Sequence, residues 1–490
     1  MEQIIQGIGA GFGWLLDNWF YINVLLAVTM VFFQRNEPET VWAWLLVLYF
    51  IPIVGFFFYL ILHHDFNKKH MFYVKELEDE LNAMIHRSSR GELPMRFSIS
   101  DPDMQKYNQL VTYNQEAGAA VYTEDNTVEI ITDGRMMFSR LLEEIDKAEQ
   151  FIHMEYYIIQ DDVMFDEIRK HLFEKAKAGV EVRILYDALG CRSMSKKKWK
   201  ELNENGIRTG DFFPAKLQWA HVRINYHNHR KIVVVDNRVG FVGGYNIGRE
   251  YISLDKRFGY WRDTHMILTG SSVVALNLRF ALDWNYATKE NLFLKADYFQ
   301  EQYPPVRGTT GVQIITSGPD SKEAQIRNTY VSLIHGAKKR ILIQTPYFIP
   351  DQTVMSALEI ALRSGVEVCL MIPCKPDHPF VYWATYSYMG DLLERGAKCY
   401  IYTDGFLHAK GIVVDTEVVC YGTANMDIRS FKLNFEVNAV VYDKEIAEEM
   451  ELTFERDVLQ CREITWASYS RRNLIVRLKE QISRLLSPVL

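Results

Sequence analysis

Two segments of the sequence share one pattern, in which histidine, lysine and aspartate are spaced as HxKxxxxD. In each segment a glycine and then an asparagine follow the aspartate at the same distances. A single short pattern arises easily by chance, whereas two copies with matching downstream residues do not. The residues are His229, Lys231, Asp236, Gly243 and Asn246 in the first segment, and His408, Lys410, Asp415, Gly422 and Asn425 in the second.

The histidine and lysine of each copy are two residues apart, and side chains at that spacing point to the same face of an extended strand. If the two copies meet, one pocket holds two imidazoles and two ammonium groups. Such a pocket suits a phosphodiester. Lys231 and Lys410 would neutralise the non-bridging oxygens as phosphorus becomes five-coordinate. One histidine would attack phosphorus while the other protonates the departing oxygen.

The other polar residues of the two copies are predicted to support this chemistry. Asn246 and Asn425 would add neutral donors for the phosphate oxygens. Asp236 and Asp415 each follow an apolar run, so they either act in the site or brace the backbone at a strand end, and the second interpretation is favoured. No carboxylate and histidine cluster with metal-ligand spacing accompanies them, and we find no glycine-rich phosphate loop. We therefore predict neither a metal nor another cofactor.

The two copies lie within a larger repeat. VEIITDG begins at residue 128 and VQIITSG at residue 312, and GVEV begins at residues 179 and 365. In the first half a β-rich segment (FIHMEYYII), a helical one (VMFDEIRKHLFEKAKAG) and a β-rich one (VEVRILYDA) alternate. RILIQTPYFI, VMSALEIALRSG and VEVCLMIP repeat that order. The alternation predicts an α/β fold with a mainly parallel or mixed sheet in each of two lobes, related by a pseudo-twofold axis.

Two apolar runs dominate the N-terminal part, at residues 13–33 and 41–62. A membrane-spanning helix needs about 20 predominantly apolar residues, so both runs are long enough. The first lacks a basic start and a small-residue cleavage site, which argues against a signal peptide. We therefore predict a two-helix membrane anchor. Lys68, Lys69 and Lys75 follow the second run, against Arg35 between the runs, and this bias places the rest of the chain in the cytoplasm.

The anchor and the repeat predict a division of the chain into five parts. These are a transmembrane anchor (1–65), a polar connector (66–110), a first lobe (111–300), a second lobe (301–468) and a basic amphipathic segment (469–490). In the last part Leu474, Leu478, Ile482 and Leu485 share one helical face. That pattern predicts either a helix at a membrane interface or one packed on the protein body.

The bulk composition limits the classes of protein. The 490 residues suffice for more than one domain, and a hydrophobic content of 48% does not fit a disordered chain. A net charge of −7 argues against a protein that coats nucleic acid, so no nucleic-acid partner is expected. The six cysteines fit neither a zinc site nor a CxxC redox motif and are expected to be reduced.

The paired HxKxxxxD patterns resemble those of the phospholipase D superfamily, whose members form a covalent phosphohistidine. The segments FVGGYNIGREY, WRDTH and YGTANMDIRSFKLNFEVN resemble bacterial cardiolipin synthases in particular, and the similarity extends over nearly the whole chain. By this resemblance Asp263 and Glu436 hydrogen-bond the two histidines, His229 is the nucleophile, and His408 is the general acid. The resemblance also implies a phospholipase D-like fold and a location in the bacterial cell membrane.

The function implied by the resemblance is the joining of two phosphatidylglycerol molecules into cardiolipin and glycerol at an anionic phospholipid bilayer. No nucleotide is needed, because the phosphodiester bond broken and the one formed are nearly equivalent. A hydrolytic phospholipase D, or a transferase using another alcohol such as phosphatidylethanolamine, shares this chemistry and stays an alternative. The apolar runs and the lack of a basic, aromatic-lined groove disfavour a nuclease. Two intact motifs disfavour an inactive membrane scaffold. The sequence indicates no oligomeric state.

Overall fold

The structure is a computed structural model that describes residues 18, 20–29, 38–51, 55, 99–213, 226–299, 308–321, 323–375 and 378–487. These residues fall into two units. The first contains the described residues up to 55, and the second contains those from 99 onward.

Two helical segments make up the described part of the first unit. They are residues 20–29 and α1 (Pro38–Phe50). Leu48 is buried against Leu26, Ala27 and Trp44, and Asn23 Nδ2 donates to the Leu48 carbonyl at 3.0 Å. Most of the other large apolar side chains of these helices are exposed: Phe20, Tyr21, Val24, Leu25, Val28, Trp42, Leu46, Tyr49 and Phe50.

Among the described residues, no helix combines the length and the apolar content needed to cross a membrane. Of the two predicted spans, the structure describes residues 18, 20–29, 41–51 and 55. The remainder of both spans lies outside the described residues, as does most of the predicted connector.

The first half of the second unit contains five helices and eight strands. The helices are α2 (Asn108–Gly118), α3 (Gly134–Asp146), α4 (Val163–Lys177), α5 (Lys196–Glu204) and α6 (Ser272–Thr288). The strands are β1 (Tyr122–Asp133), β2 (Phe151–Tyr156), β3 (Glu181–Asp187), β4 (Ile207–Phe212), β5 (His227–Asn228), β6 (Ile232–Val235), β7 (Val239–Gly243) and β8 (Trp261–Thr269). Short 3₁₀ turns cover Gln105–Tyr107, Arg249–Ile252, Leu292–Leu294 and Ala296–Phe299.

The second half follows with the same succession and a helical end. Its helices are α7 (Gln325–Gly336), α8 (Gln352–Arg363), α9 (Pro379–Glu394), α10 (Ile428–Lys432), α11 (Lys444–Val458), α12 (Trp466–Ser470) and α13 (Leu474–Leu485). Its strands are β9 (Thr310–Ser317), β10 (Arg340–Gln344), β11 (Phe348–Ile349), β12 (Glu367–Pro373), β13 (Lys398–Tyr402), β14 (Phe406–Leu407), β15 (Gly411–Val414), β16 (Val418–Gly422), β17 (Met426–Asp427), β18 (Asn434–Tyr442) and β19 (Cys461–Ile464).

The two halves build sheets of the same strand order, β4-β3-β2-β6-β7-β8-β1 and β13-β12-β10-β15-β16-β18-β9. The first three strands of each order are parallel, and the later neighbours are antiparallel. β1 and β9 pair antiparallel and join the sheets edge to edge, with Thr123 opposite Val312. The predicted α/β fold with mixed sheets is confirmed. Within each of these strand orders, parallel pairing is limited to three strands because tight hairpins such as β6–β7 add antiparallel neighbours.

The predicted strand–helix–strand units form for local reasons that the two halves share. Asp162 caps α4 by accepting from Met164 N at 2.9 Å, and Asp351 caps α8 by accepting from Val354 N at 3.1 Å. Both helices are followed by a glycine in the left-handed region, at φ 94° for Gly179 and 86° for Gly365. A glycine there ends the helix without strain and lets the chain return to the sheet.

Each half has its own apolar core, but the segment that precedes the first half packs in the core of the second. Leu110 and Val111 of α2 belong to the same buried cluster as Tyr330 of α7 and Tyr442 of β18. Tyr122, at the start of β1, lies in that cluster as well. The two halves are therefore tied by interleaved chain as well as by the β1–β9 pair.

Candidate active site

The first motif lies where β5 ends and β6 begins. His229 and Lys231 occupy the link between these strands, outside regular strand structure, so the expectation that they lie on one strand is corrected. The link is held because β5 pairs with β18 and His229 N donates to the Phe435 carbonyl at 2.9 Å. The two-residue spacing still brings the ammonium group back to the histidine, because Lys231 Nζ donates to the backbone carbonyl of His229 at 2.6 Å.

The second motif has the same arrangement in the other half. His408 and Lys410 lie in the link between β14 and β15, and β14 pairs with β8. His408 N donates to the Arg262 carbonyl at 2.7 Å. Lys410 Nζ donates to the carbonyl of His408 and lies 2.8 Å from its Nδ1. Each motif is thus docked on the long strand of the opposite half.

Each histidine is held by a carboxylate from the other half. His229 Nδ1 lies 2.9 Å from Glu436 Oε2, and His408 Nδ1 lies 2.6 Å from Asp263 Oδ2. Both carboxylates are completely buried, whereas the histidines keep 9% and 8% of their surface exposed. A bond at Nδ1 fixes the tautomer and the ring plane, so that Nε2 is the nitrogen left for chemistry.

The two carboxylates are supported differently. Thr423 Oγ1 donates to Glu436 Oε2 at 2.5 Å. Gly244 is the counterpart of Thr423, and a Cβ at Gly244 would lie 2.0 Å from Asp263 Oδ1. The shorter Asp263 side chain therefore lies directly against the backbone of Gly244, and no residue with a side chain fits at position 244.

The two lysines lie beneath the histidines and are almost completely buried. Burial lowers the pKa of Lys231 to about 7, with Glu436 opposing that shift and Lys410 adding to it. Lys410 Nζ is 3.9 Å from Asp263 Oδ2. β7 lies between β6, which begins next to Lys231, and β8, which carries the Asp263 that bonds His408, so the two motifs line one pocket.

The histidines and carboxylates are shifted by the same surroundings. Burial lowers the pKa of both His229 and His408 to about 4, so both imidazoles are neutral at pH 7. Burial raises the pKa of Asp263 and Glu436, but the neighbouring lysines and histidines outweigh it, and both pKa values end below normal. At pH 7 the two charged carboxylates therefore face Lys410 and a Lys231 that is about half protonated, and an entering phosphodiester adds a further negative charge.

The motif aspartates lie outside this pocket, at the far ends of β6 and β15. Asp236 accepts from the backbone N–H groups of residues 149, 150 and 151 at 2.7, 2.9 and 2.8 Å. Asp415 accepts from those of residues 338, 339 and 340 at 2.7, 2.7 and 2.8 Å. Both have positive φ, 54° in each case, at the first position of a hairpin turn. The structure therefore does not bring these aspartates together with the histidines.

The two asparagines are buried beside the motifs but have different surroundings. Asn246 accepts from Ile158 N at 3.1 Å through Oδ1 and donates to Tyr251 Oη at 3.1 Å through Nδ2. Both of its polar groups are thus engaged with protein. Asn425 Oδ1 is buried and has no hydrogen-bond partner among the described residues.

Two aromatic side chains beside the histidines were not among the predicted site residues. The Tyr157 ring lies 4.9 Å from the His229 ring and 5.5 Å from Lys231 Nζ. The Trp261 ring lies 5.0 Å from the His408 ring. Both belong to segments that the sequence marks as part of the repeat or the resemblance, but spacing alone does not point to a contact across the chain. Within the described residues no group of three potential metal ligands comes together.

Comparison with known proteins finds two matching family models. Residues 141–258 and 330–458 match the family model described as cardiolipin synthase, PLD-like domain, and residues 22–62 match one described as phospholipase D-nuclease N-terminal. The chain is 48% identical over 483 residues to the major cardiolipin synthase ClsA of Bacillus subtilis, and 44% identical over 477 residues to a cardiolipin synthase of Oceanobacillus iheyensis. Each alignment covers 97% of this chain and 99% of the relative.

The fold is similar to the crystal structure of phosphatidylserine synthase from Haemophilus influenzae, with a TM-score of 0.60 and 15% sequence identity. The match covers 79% of this chain and all of that one. Fold, paired motifs and relatives together define a phosphatidyltransferase of the phospholipase D superfamily. Within that superfamily, the chain belongs to the cardiolipin synthase family.

Proposed function

We propose that this chain transfers a phosphatidyl group from one phosphatidylglycerol to another, producing cardiolipin and glycerol. One observation carries the proposal. Two buried histidine–lysine pairs, each oriented by a carboxylate of the opposite half, share a pocket in a chain 48% identical to a named cardiolipin synthase. The pocket chemistry supports transfer at a phosphodiester, and the relatives' names support the lipid.

The first step forms a covalent intermediate. Nε2 of His229 attacks phosphorus, and the bond from phosphorus to the oxygen of the glycerol headgroup breaks. His408 takes up a proton at Nε2 when the anionic phosphodiester binds, gives that proton to the departing oxygen, and glycerol leaves. Lys231 and Lys410 neutralise the non-bridging oxygens as negative charge gathers there. Glu436 stabilises the positive imidazole of the phosphatidyl-histidine through Nδ1.

The second step transfers the group to a second lipid. The free hydroxyl of another phosphatidylglycerol headgroup attacks phosphorus, its proton passes to His408, and the bond to His229 breaks. Each step exchanges one phosphoester-type bond for another, so no nucleotide is consumed. Water in place of the lipid hydroxyl would make the enzyme a hydrolase. Protection of the intermediate from water therefore separates the proposed reaction from hydrolysis.

The other predicted site residues take supporting roles in this proposal. Asp236 and Asp415 hold the strands that carry the lysines, and their bonds to three backbone N–H groups each support a structural role. Asn246 positions the loop at Ile158, whereas Asn425 would donate from its amide nitrogen to a phosphate oxygen.

The five-part division of the chain, with a two-span membrane anchor and a cytoplasmic catalytic part, is also proposed. Its support is the match of residues 22–62 to the model described as phospholipase D-nuclease N-terminal, together with the exposed apolar side chains of residues 20–29 and α1. The substrates of the proposed reaction reside in a bilayer, which agrees with an anchor.

The deciding experiment incubates the purified full chain with phosphatidylglycerol vesicles and analyses the lipids. We expect cardiolipin and glycerol in equal amounts, and added glycerol should convert cardiolipin back to phosphatidylglycerol. Phosphatidic acid as the main product would instead identify a hydrolase. Yields that ignore added glycerol would contradict a reversible transfer.

Histidine variants test the two roles separately. His229→Ala and His408→Ala should both abolish transfer without unfolding, whereas His171→Ala, at a partly exposed histidine bonded to Asp146, should not. A phosphodiester with a nitrophenyl leaving group needs no general acid. It should therefore restore formation of the covalent intermediate in His408→Ala but not in His229→Ala. A phosphorylated His408 trapped in His229→Ala would reverse the assignment.

A further inference from the structure

Helix α13 presents its apolar side chains to the outside and its polar ones to the protein. Leu474 and Leu485 are 80% and 82% exposed, whereas Glu480 is completely buried and Ser483 is 1% exposed. A helix packed on a protein body normally shows the opposite arrangement. The exposed apolar residues are Leu474, Ile475, Leu478, Ile482, Leu485 and Leu486.

Polar contacts hold the helix in this orientation. Glu480 accepts from Arg472 Nε through both carboxylate oxygens, at 2.7 and 2.9 Å. Arg484 Nη2 lies 2.7 Å from Asp391 Oδ2, and its guanidinium covers the Tyr388 ring at 4.3 Å. The inward face is therefore bonded to Arg472 and to α9. These polar contacts hold the apolar face toward the outside.

Cations flank the apolar face on both sides. At about 100° per residue, the six apolar side chains cover an arc of roughly 120°. Arg477 lies beyond one edge of that arc and Lys479 beyond the other, and both are exposed. Arg471, just before the helix, is exposed as well. An apolar stripe bordered by cations complements an anionic lipid surface, where acyl chains lie beside phosphate headgroups.

The contacts also place the first turns of α13 near the edge of the sheet that carries the active site, and its last turn toward the opposite edge. Lys479 covers the Trp383 ring near the start of α9, and Arg484 reaches Asp391 near its end, so the two helices run in the same direction. α9 follows the carboxyl end of β12. The neighbouring parallel strand β13 leads from that same edge through β14 to His408. Phe380, in the first turn of α9, is 53% exposed there.

We propose that α13 is a docking surface for an anionic phospholipid bilayer, which it meets with its apolar face while its cations contact the headgroups. The inference rests on the proposed function, because it gives the catalytic body a second contact with the membrane that holds its substrates. It adds a surface that the predicted N-terminal anchor does not provide. Docking through α13 holds the catalytic body at the surface of the bilayer.

A crosslinking experiment on the full chain in phosphatidylglycerol bilayers tests the contact directly. A benzophenone amino acid is placed at position 485 of α13 or, as the matched control, at position 459, where Leu459 is 82% exposed at the end of α11. Illumination should attach lipid at position 485 and not at position 459. Crosslinks between two copies at position 485, or no adduct at all, would overturn the proposal.

Kinetics separate docking from catalysis. In Leu478→Gln/Ile482→Gln/Leu485→Gln, turnover of bilayer phosphatidylglycerol should fall at least about fivefold. Turnover of short-chain phosphatidylglycerol below its micelle concentration should stay unchanged. In the control variant Leu459→Gln, turnover of the bilayer substrate and of the short-chain substrate should both stay unchanged. Equal loss on both substrates, or loss on neither, would contradict docking. If the wild-type chain makes no cardiolipin while position 485 still captures lipid, the proposed function fails and the docking surface stands.

Discussion

Replacing Lys231 with methionine should remove a pH dependence that the wild-type pocket imposes on anion binding. Burial lowers the pKa of this lysine to about 7, against an ordinary value near 10.4. Without a ligand, Lys231 therefore keeps its positive charge below pH 7 and loses it as the pH rises above 7. A bound phosphodiester places a negative charge against Nζ and restores the proton, so binding above pH 7 takes up one proton.

The magnitude follows from that linkage. With a pKa of about 7 in the empty pocket, Lys231 is half charged at pH 7 and about 3% charged at pH 8.5. If the bound ligand keeps the lysine charged, affinity falls about 16-fold between those two pH values. A lysine with an ordinary pKa would give no change over the same range.

The assay is calorimetric titration of the full chain with glycerophosphoglycerol, a soluble phosphodiester whose charge is constant over this range. His408→Gln serves as the background, because it removes a second group that takes up a proton on binding. Titrations in two buffers of different ionisation enthalpy report the proton uptake itself. It should rise from about half a proton at pH 7 to nearly one at pH 8.5.

The methionine variant supplies the control for this prediction. Lys231→Met in the same background should bind more weakly at pH 6.5 and show nearly constant affinity up to pH 8.5. A flat profile in the parent protein would mean that Lys231 is charged throughout. An unchanged slope in Lys231→Met would assign the titration to another group. Either result refutes the account of the pocket's charge.

Three further outcomes follow from the structure. Gly244→Ala should lower turnover at least about 100-fold, because its Cβ would displace Asp263. Gly336→Ala, where the space is open, is the control. Near-normal turnover of Gly244→Ala would contradict the packing of Asp263 on Gly244. Asp236→Ala should lower the free energy of unfolding by about 2–4 kcal/mol in denaturant titrations, since three backbone N–H groups lose their acceptor. A loss below about 0.5 kcal/mol, which is typical of surface substitutions, would contradict its structural role. Activity should survive EDTA with modest loss, because lysines supply the positive charge; complete loss restored by one divalent ion would refute this.

The repeated motif allowed the pocket's main residues to be predicted from spacing, but not their exact setting. Two copies of one pattern in a duplicated chain must come together if the halves pair symmetrically, and that argument needs no coordinates. The assignment of His229 and Lys231 to a regular strand was wrong. Their link forms because β5 pairs with β18 of the other half, and such a long-range pairing leaves no local periodicity.

Long-range contacts also explain what spacing could not supply. Asp263 and Glu436 were predicted from resemblance alone, and nothing in the local sequence says which histidine each one meets. Each histidine meets a carboxylate of the opposite half because β14 pairs with β8 and β5 pairs with β18. The apolar stripe of α13 was visible in the sequence, whereas its outward direction depends on polar partners in α9 that are about 100 residues earlier in the chain.

The spacing of the motif itself has a structural origin. Histidine and lysine lie at the pocket end of a short strand, the four residues of β6 or β15 follow, and the aspartate occupies the hairpin turn at the other end. Four strand residues span roughly 13 Å, so the aspartate carboxylate is too far away to touch a phosphate held by the lysine. It reaches the backbone at the start of β2 or β10 instead. HxKxxxxD therefore joins the histidine and lysine of the pocket to an aspartate that fixes the backbone, and the four intervening residues form the strand between them.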